Sequence, residues 1–275
     1  MIRAWLMVAL SLMAQESGVN FDKMLTEINR GRFDKALTQL FPVQSMIREN
    51  LNGKQPKMHA GLVARMMDVG RTSAVLSTIA LVRSQVLSEN FEEASVHAML
   101  IGMGLSGLWT RVPAYQKLNF AKQDVEEAKG PMKDPELRKL GYAAAEASEW
   151  DTARKAAAEL MGSTEKKDFM DLDPGTLRHS ALAIRGLCEL GQGDILAAEK
   201  TMIDSMKVRG ENSMRMMGPS FRLANALLAN GRKQSVSMFL QLVAESNWRD
   251  SSKAEQWKKD LAAGKELELP RFSAN

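Results

Sequence analysis

Residues 147–153, ASEWDTA, contain the pattern that decides the fold. A short polar turn is followed by a large apolar residue, Trp150, and three residues later by the small residue Ala153. This pattern is typical of a helical hairpin, because the turn reverses the chain and the small alanine lets the second helix pack closely on the first. Three other segments repeat it: residues 29–36 (NRGRFDKA), 88–94 (SENFEEA) and 191–198 (GQGDILAA).

Apolar residues between these turns recur at the spacing of an α-helix. In residues 73–87, for example, Val75, Ile79 and Val82 lie three or four positions apart. No segment combines strict alternation with the β-branched enrichment that predicts a strand. The sequence therefore predicts an all-α fold, with its eight prolines between helices or in their first turns.

Composition and charge exclude several classes of protein. The 275 residues carry 37 Lys and Arg against 33 Asp and Glu, a formal net charge of +4. Basic and acidic residues alternate along the chain instead of forming a basic stripe, so nucleic-acid binding is not expected. A hydrophobic content of 45% excludes intrinsic disorder, and the single cysteine, Cys188, excludes a disulfide scaffold.

The N-terminus has the pattern of a secretory signal peptide. Arg3 precedes an apolar run from Ala4 to Ala14, and the polar residue Gln15 follows. The run is too short to span a bilayer, and no other stretch approaches the eighteen apolar residues of a membrane helix, so no membrane insertion of the mature chain is expected. Residues 1–14 are therefore predicted to be cleaved from an exported, periplasmic or secreted protein. The alternative is a buried first helix of a cytoplasmic protein.

Two glycines stand at a fixed distance before the alanines of the later hairpins. Gly141 lies twelve residues before Ala153, and Gly186 lies twelve residues before Ala198. This spacing resembles that of tetratricopeptide repeats (TPR), in which a small residue in the first helix of a hairpin meets an alanine near the start of the second. The resemblance implies antiparallel helical hairpins stacked as a right-handed α-solenoid, with these four residues at the close contacts.

The resemblance covers residues 136–245 well and the earlier part weakly. The equivalent alanines are Ala36, Ala94, Ala153 and Ala198. Successive members are 58, 59 and 45 residues apart, whereas a regular repeat would give about 34. We therefore expect N-terminal helical hairpins in residues 15–130 and TPR-like hairpins in residues 131–275, continuous with the preceding part. A non-repeating α-bundle is the alternative.

The resemblance also implies a partner-binding groove lined by the first helices. If Gly141 and Ala224 occupy the close-packing positions, the residues three places before and one place after them should face that groove. The rule selects an arginine, two aromatic residues and an amide, which suit a peptide partner: Arg138, Tyr142, Phe221 and Asn225. The alternative for Tyr142 and Phe221 is that they fill the interior.

No catalytic, cofactor or metal motif is found in the sequence. His59, His97 and His179 are far apart, without a second ligand at metal-binding spacing. We expect His97 in the core and His179 at the surface. The aspartates of residues 168–173 precede Pro174 and are read as a turn rather than a calcium loop. The glycine-rich residues 102–107 lack the context of a phosphate loop and are read as the end of a helix.

The sequence therefore predicts a non-catalytic protein that binds another protein or peptide, as an interaction or scaffold protein of the bacterial cell envelope. The resemblance also allows for self-association. The alternative class is an all-α enzyme whose carboxylates meet only in space, with Glu146, Glu149 and Asp151 as the first candidates. A third reading is an accessory subunit of a cell-wall enzyme complex.

Overall fold

The computed structural model describes residues 20–51, 72–162, 173–208 and 218–270. These ranges contain twelve α-helices, one short 3₁₀ helix and no strand, so the all-α prediction is confirmed. The proposed signal peptide, residues 1–14, lies outside them. The helices are α1 (Phe21–Asn29), α2 (Phe33–Asn50), α3 (Thr72–Leu87), α4 (Phe91–Arg111), α5 (Ala114–Glu127), α6 (Lys133–Glu146), α7 (Trp150–Gly162), α8 (Pro174–Gly191), α9 (Ile195–Lys207), α10 (Arg222–Ala229), α11 (Lys233–Ala244) and α12 (Ser251–Ala262).

The chain divides into two compact units between Val112 and Pro113. The first unit contains α1–α4 and the second contains α5–α12. The division predicted after residue 130 falls at the start of the 3₁₀ helix Gly130–Met132, inside the second unit.

In the first unit, α2 packs against α1 and α4, and α3 packs against α1 and α4. The helix α4 continues through residues 102–107, so the expected helix end there is wrong. Packing explains the difference, because Ile101, Gly104 and Leu105 continue the buried face of α4 through this stretch, and the burial of that face outweighs the low helix propensity of glycine. Pro42 likewise lies inside α2, whose buried face includes Leu40 and Val43 on either side of it.

In the second unit, each helical hairpin packs on the next. The hairpin of α6 and α7 contacts α8, and the hairpin of α8 and α9 contacts α10. The first helices of the hairpins also contact one another in chain order, α6 with α8 and α8 with α10. The helix α11 packs against α9 and α12. Two hydrophobic clusters result, one around Ile184 and one around Leu240, and Leu187 packs against both.

Five of the turns between helices share one geometry. Each has three residues between its helices, and the middle residue has a positive φ, between 58° and 87°: Gly31, Glu89, Ser148, Gly193 and Gly231. The backbone N–H of the next residue donates back to the preceding helix, as Glu149 does to the oxygen of Ala144 at 2.9 Å. The small or β-branched residue after each turn is completely buried: Ala36, Ala94, Ala153, Ala198 and Val236.

The two glycines of the TPR-like spacing lie at contacts between hairpins. A Cβ added to Gly141 in α6 would lie 2.5 Å from Cδ1 of Ile184 in α8, and one added to Gly186 in α8 would overlap Cδ2 of Leu223 in α10. Each glycine thus permits a close approach of its helix to the first helix of the next hairpin. The contacts that the resemblance implied within the hairpins, of Gly141 with Ala153 and of Gly186 with Ala198, stay predictions.

Substitution of Gly141 tests the contact of α6 with Ile184 in α8. We expect Gly141→Ala to lower the free energy of unfolding by about 1–2 kcal/mol, because the added methyl group overpacks a fully buried neighbour. Gly107→Ala is the matched control, since Gly107 lies in α4 with no atom within 4 Å of the added Cβ. That variant should be neutral or gain up to about 1 kcal/mol through helix propensity. Urea denaturation measures both.

The change Ile184→Val removes Cδ1, the atom with which the added methyl group collides. In a double-mutant cycle, the combined Gly141→Ala and Ile184→Val variant should therefore be more stable than the sum of the single changes predicts. Additive effects would show that the two side chains do not meet.

Candidate functional site

The first helices of the second unit bring together three of the four predicted partner-binding residues. Arg138 and Tyr142 lie one turn apart on α6, so their side chains share one side of that helix. Arg222 of α10 stacks its guanidinium carbon 4.5 Å from the centroid of the Tyr142 ring. Asn225 lies three residues after Arg222, on the same side of α10. We call the surface that carries these four residues the first-helix face.

Phe221, the fourth predicted residue, fills the interior. It is 1% exposed, and its ring centroid lies 6.0 Å from that of Phe239, 5.8 Å from that of Trp248 and 5.4 Å from that of Trp257. Such edge-to-face and tilted packing stabilises a buried ring cluster. Phe221 therefore does not face a groove, in agreement with the alternative that the sequence left open.

Asn225 holds a segment near the C-terminal end of the chain that belongs to no helix. Its Nδ2 donates to the backbone oxygen of Leu269 at 2.9 Å, and the backbone N–H of Leu269 donates to its Oδ1 at 3.0 Å. Leu269 is 1% exposed and packs in the cluster around Leu240. This contact was not predicted, although the alternation of Leu and Glu over residues 266–269 was a usable signal for a non-helical segment with one apolar side.

Arg138 and Tyr142 are only 9% exposed each, which is unusual for polar residues on a binding surface. The Tyr142 hydroxyl is buried without a hydrogen-bond partner among the described residues. Burial lowers the pKa of the Arg138 guanidinium, and the nearby charge of Arg222 acts in the same direction, while Tyr142 and Glu136 oppose it. The first-helix face thus contains two neighbouring, partly desolvated cations.

His179 fixes the position of the segment that leads into α10. The backbone N–H of Ser220 donates to its Nε2 at 2.8 Å, so Nε2 carries no proton and the opposite nitrogen, Nδ1, donates to the backbone oxygen of Ser205 at 3.1 Å. The expectation of an exposed His179 is wrong, because the side chain is 2% exposed and links α8, α9 and the start of α10. Sequence alone did not reveal these distant backbone partners. His97 is buried as expected.

The three carboxylates that the sequence singled out lie at the surface, whereas the thiol of Cys188 is buried. Glu146, Glu149 and Asp151 are all exposed, and Glu146 and Asp151 form ion pairs with Lys117 and Arg154. Burial raises the pKa of the Cys188 thiol, which disfavours the reactive thiolate.

The described residues also offer no metal site. They contain no group of three or more His, Cys, Asp or Glu side chains placed to bind a metal ion. The side chain of Asp173 caps α8 by accepting from the backbone N–H of Thr176 at 3.0 Å, which agrees with the predicted turn. Asp168 and Asp171 lie outside the described residues.

Comparison with known proteins adds no assignment to this face. No family model matches the chain, and neither curated proteins nor solved structures gave a match. Within the described ranges, no helix combines the length and apolar character needed to cross a membrane.

The titration of His179 should make stability depend on pH. Burial lowers its pKa below the ordinary value of 6.5, so the unfolded chain takes up a proton more readily than the folded one. The stabilisation is therefore complete above about pH 6.5 and is lost as the pH falls from that value towards the lower pKa of the folded state, by at most about 1.4 kcal/mol per pH unit.

Urea denaturation at pH 5 and pH 7.5 measures this effect. His179→Gln, which does not titrate, should lose less stability than the unsubstituted chain between the two conditions. Equal losses in both proteins would contradict the assignment. His97→Gln provides the control for a buried histidine elsewhere in the fold.

Proposed function

We propose that this chain is a non-catalytic, TPR-like protein that binds an extended segment of another protein on its first-helix face. The observation that carries the proposal is the pair of hydrogen bonds between the Asn225 side chain and the backbone of Leu269. A carboxamide that both donates to and accepts from one residue's backbone recognises extended chain independently of its side chain. Any extended peptide offers the same backbone N–H and C=O groups.

The side chains of the C-terminal segment indicate which peptides would fit. Leu269 is buried and Leu267 is half-buried against the cluster around Leu240, while Glu266 and Glu268 are exposed. Alternate side chains of an extended chain point to opposite sides, so one side supplies apolar contacts and the other remains in water. A partner segment with alternating apolar and polar residues would make the same contacts.

Two features support a TPR-like stack in the second unit. The first helices α6, α8 and α10 contact one another in order, with Gly141 and Gly186 at these contacts. Arg222 of α10 nonetheless reaches Tyr142 of α6, although α8 packs against both helices. Adjacent helix axes are about 8–10 Å apart, so this contact between next-nearest helices supports a concave first-helix face.

The C-terminal segment itself provides a probe of the binding surface. A labelled peptide with the sequence of residues 265–270, KELELP, is titrated against a chain that ends at Gly264, with fluorescence anisotropy as the measurement. We expect saturable binding, at least tenfold weaker binding to the same chain with Asn225→Ala, and little binding to the full-length chain, whose own segment occupies the site.

A peptide with serine in place of both leucines is the matched control and should not bind. The full-length chain with Leu267→Ala and Leu269→Ala offers a second form with a weakened segment, and its helical circular dichroism shows whether it is folded. If neither form binds KELELP while both are folded, the proposal is wrong.

We further propose that the protein is exported to the bacterial cell envelope. The support is the N-terminal run with Arg3 before residues 4–14, and Cys188 is a buried free thiol, so the described fold does not depend on a disulfide. Mass spectrometry of the protein recovered from bacterial cells should find Gln15 as its first residue. A chain that retains residues 1–14 in the cytoplasm would contradict export.

A further inference from the structure

The outer surface of α2 and α4, in the first unit, carries three exposed apolar side chains. Phe41 of α2 is 61% exposed, and Met99 and Met103 of α4 are 39% and 49% exposed. They lie beside one contact between the helices, because a Cβ added to Gly102 would be 3.4 Å from Cδ2 of Leu40, the residue before Phe41. Met99 and Met103 stand three residues before and one residue after Gly102. We call the surface of Phe41, Met99 and Met103 the Phe41 face.

The Phe41 face is one continuous surface. The Cβ added to Gly102 would also lie 3.9 Å from Leu37 and 3.9 Å from Gln44. These two residues stand four before and three after Phe41, so they share its side of α2. The side of α2 that carries Phe41 therefore meets α4 at Gly102, beside the two methionines.

Charged residues are absent from the central part of both helices. Residues 36–47 of α2 and residues 94–110 of α4 contain no Lys, Arg, Asp or Glu. Each helix instead has acidic residues in its first turn and a basic residue in its last turn: Asp34 and Arg48 in α2, and Glu92, Glu93 and Arg111 in α4. An apolar centre with exposed Phe and Met side chains and a charged rim is typical of a protein–protein interface.

The charges of α2 are placed symmetrically about Phe41. Asp34 lies seven residues before Phe41 and Arg48 lies seven residues after it. Seven residues are about two helical turns, or about 10.5 Å, so all three residues share one side of the helix. Arg48 is exposed and Asp34 is half-buried. If two copies of α2 pack antiparallel with the two Phe41 rings at the centre, the Asp34 of each copy lies opposite the Arg48 of the other.

We propose that the Phe41 face is the interface of a homodimer in which α2 packs antiparallel to α2 of a second copy. A second copy rotated by 180° presents the same surface, so an apolar centre meets an apolar centre and each basic end meets an acidic end. The inference is independent of the proposed function, because the Phe41 face lies in the first unit and the first-helix face lies in the second.

The size of the surface agrees with a dimer of moderate affinity. The helices α2 and α4 contain 18 and 21 residues. They are therefore about 27 Å and about 32 Å long, and two adjacent helices are about 20 Å wide. A contact of this extent covers roughly 600 Å² on each copy and about 1,200 Å² in total, which is the lower end of the range for specific interfaces. We expect a dimer dissociation constant on the order of 1–100 µM.

Sedimentation equilibrium measures the association of the purified protein. The full chain and the chain that begins at Gln15 are compared, which separates the Phe41 face from the apolar run of residues 4–14. We expect both forms to reach a monomer–dimer equilibrium with the same dissociation constant. Association of the full chain alone would assign the contact to the apolar run and would overturn the proposal.

Variants locate the interface. Phe41→Glu and Met103→Glu should each weaken the dimer by about tenfold or more, because each places a charge in the apolar centre of the contact. Leu196→Glu is the matched control, since Leu196 is 73% exposed and lies in the second unit, and this variant should leave the dissociation constant unchanged. The two test variants lie on different helices, so a loss of folding in one, detected by circular dichroism, leaves the other to decide. Unweakened association in a folded variant of either position would show that the Phe41 face is not the interface.

Neutralising Arg48 tests the antiparallel arrangement. Arg48→Gln should weaken the dimer by about threefold or more, because it removes the charge that lies opposite Asp34 of the other copy. Arg249→Gln, at an exposed arginine of the second unit, is the control and should have no effect. Parallel packing would bring the two Arg48 side chains together, so stronger association of Arg48→Gln would overturn the antiparallel arrangement. A chain that remains monomeric up to about 100 µM, the upper limit expected here, would overturn the homodimer and leave the Phe41 face to a different protein.

Discussion

Reversal of the chain within three residues is the constraint on which the hairpins of this fold depend. In each of these five turns the middle residue takes the left-handed conformation, and glycine occupies that position in three of them. At Glu89 and Ser148 a side chain occupies this conformation at a cost of roughly 1–2 kcal/mol. The fully buried residue that follows each turn offsets this cost, because it lets the two helices of the hairpin pack closely.

Close packing of the first helices then determines what the second unit can present to a ligand. Where Gly141 and Gly186 allow α6, α8 and α10 to approach, residues far apart in sequence become neighbours. Arg222 comes to lie on Tyr142 although eighty residues separate them along the chain. His179 strengthens this arrangement by holding Ser220, two residues before Arg222, through its Nε2.

The parts of the fold that follow from local sequence could be predicted, and those that depend on distant contacts could not. The turn pattern around Trp150 and Ala153 is local, so the hairpins could be located from the sequence. The approach of Gly141 to Ile184 depends on the position of α8, and the hairpin pattern does not specify that position. The burial of His179 depends on backbone groups of Ser205 and Ser220, which have no side-chain signature.

The candidate site shows the same difference between what local sequence predicts and what distant contacts decide. The spacing rule selected Arg138, Tyr142 and Asn225, which the structure places on one face. It also selected Phe221, which packs among aromatic rings contributed by later helices. Asn225 was selected as an amide that could hold a peptide, and it holds the backbone of Leu269 from its own chain. Asn225 therefore shows what a side chain on this face does in the fold itself: its carboxamide pairs with both backbone groups of one residue, Leu269. In a helical core that already satisfies its own backbone, a binding surface has to be made from such side chains, because the helices leave few backbone groups free for a ligand.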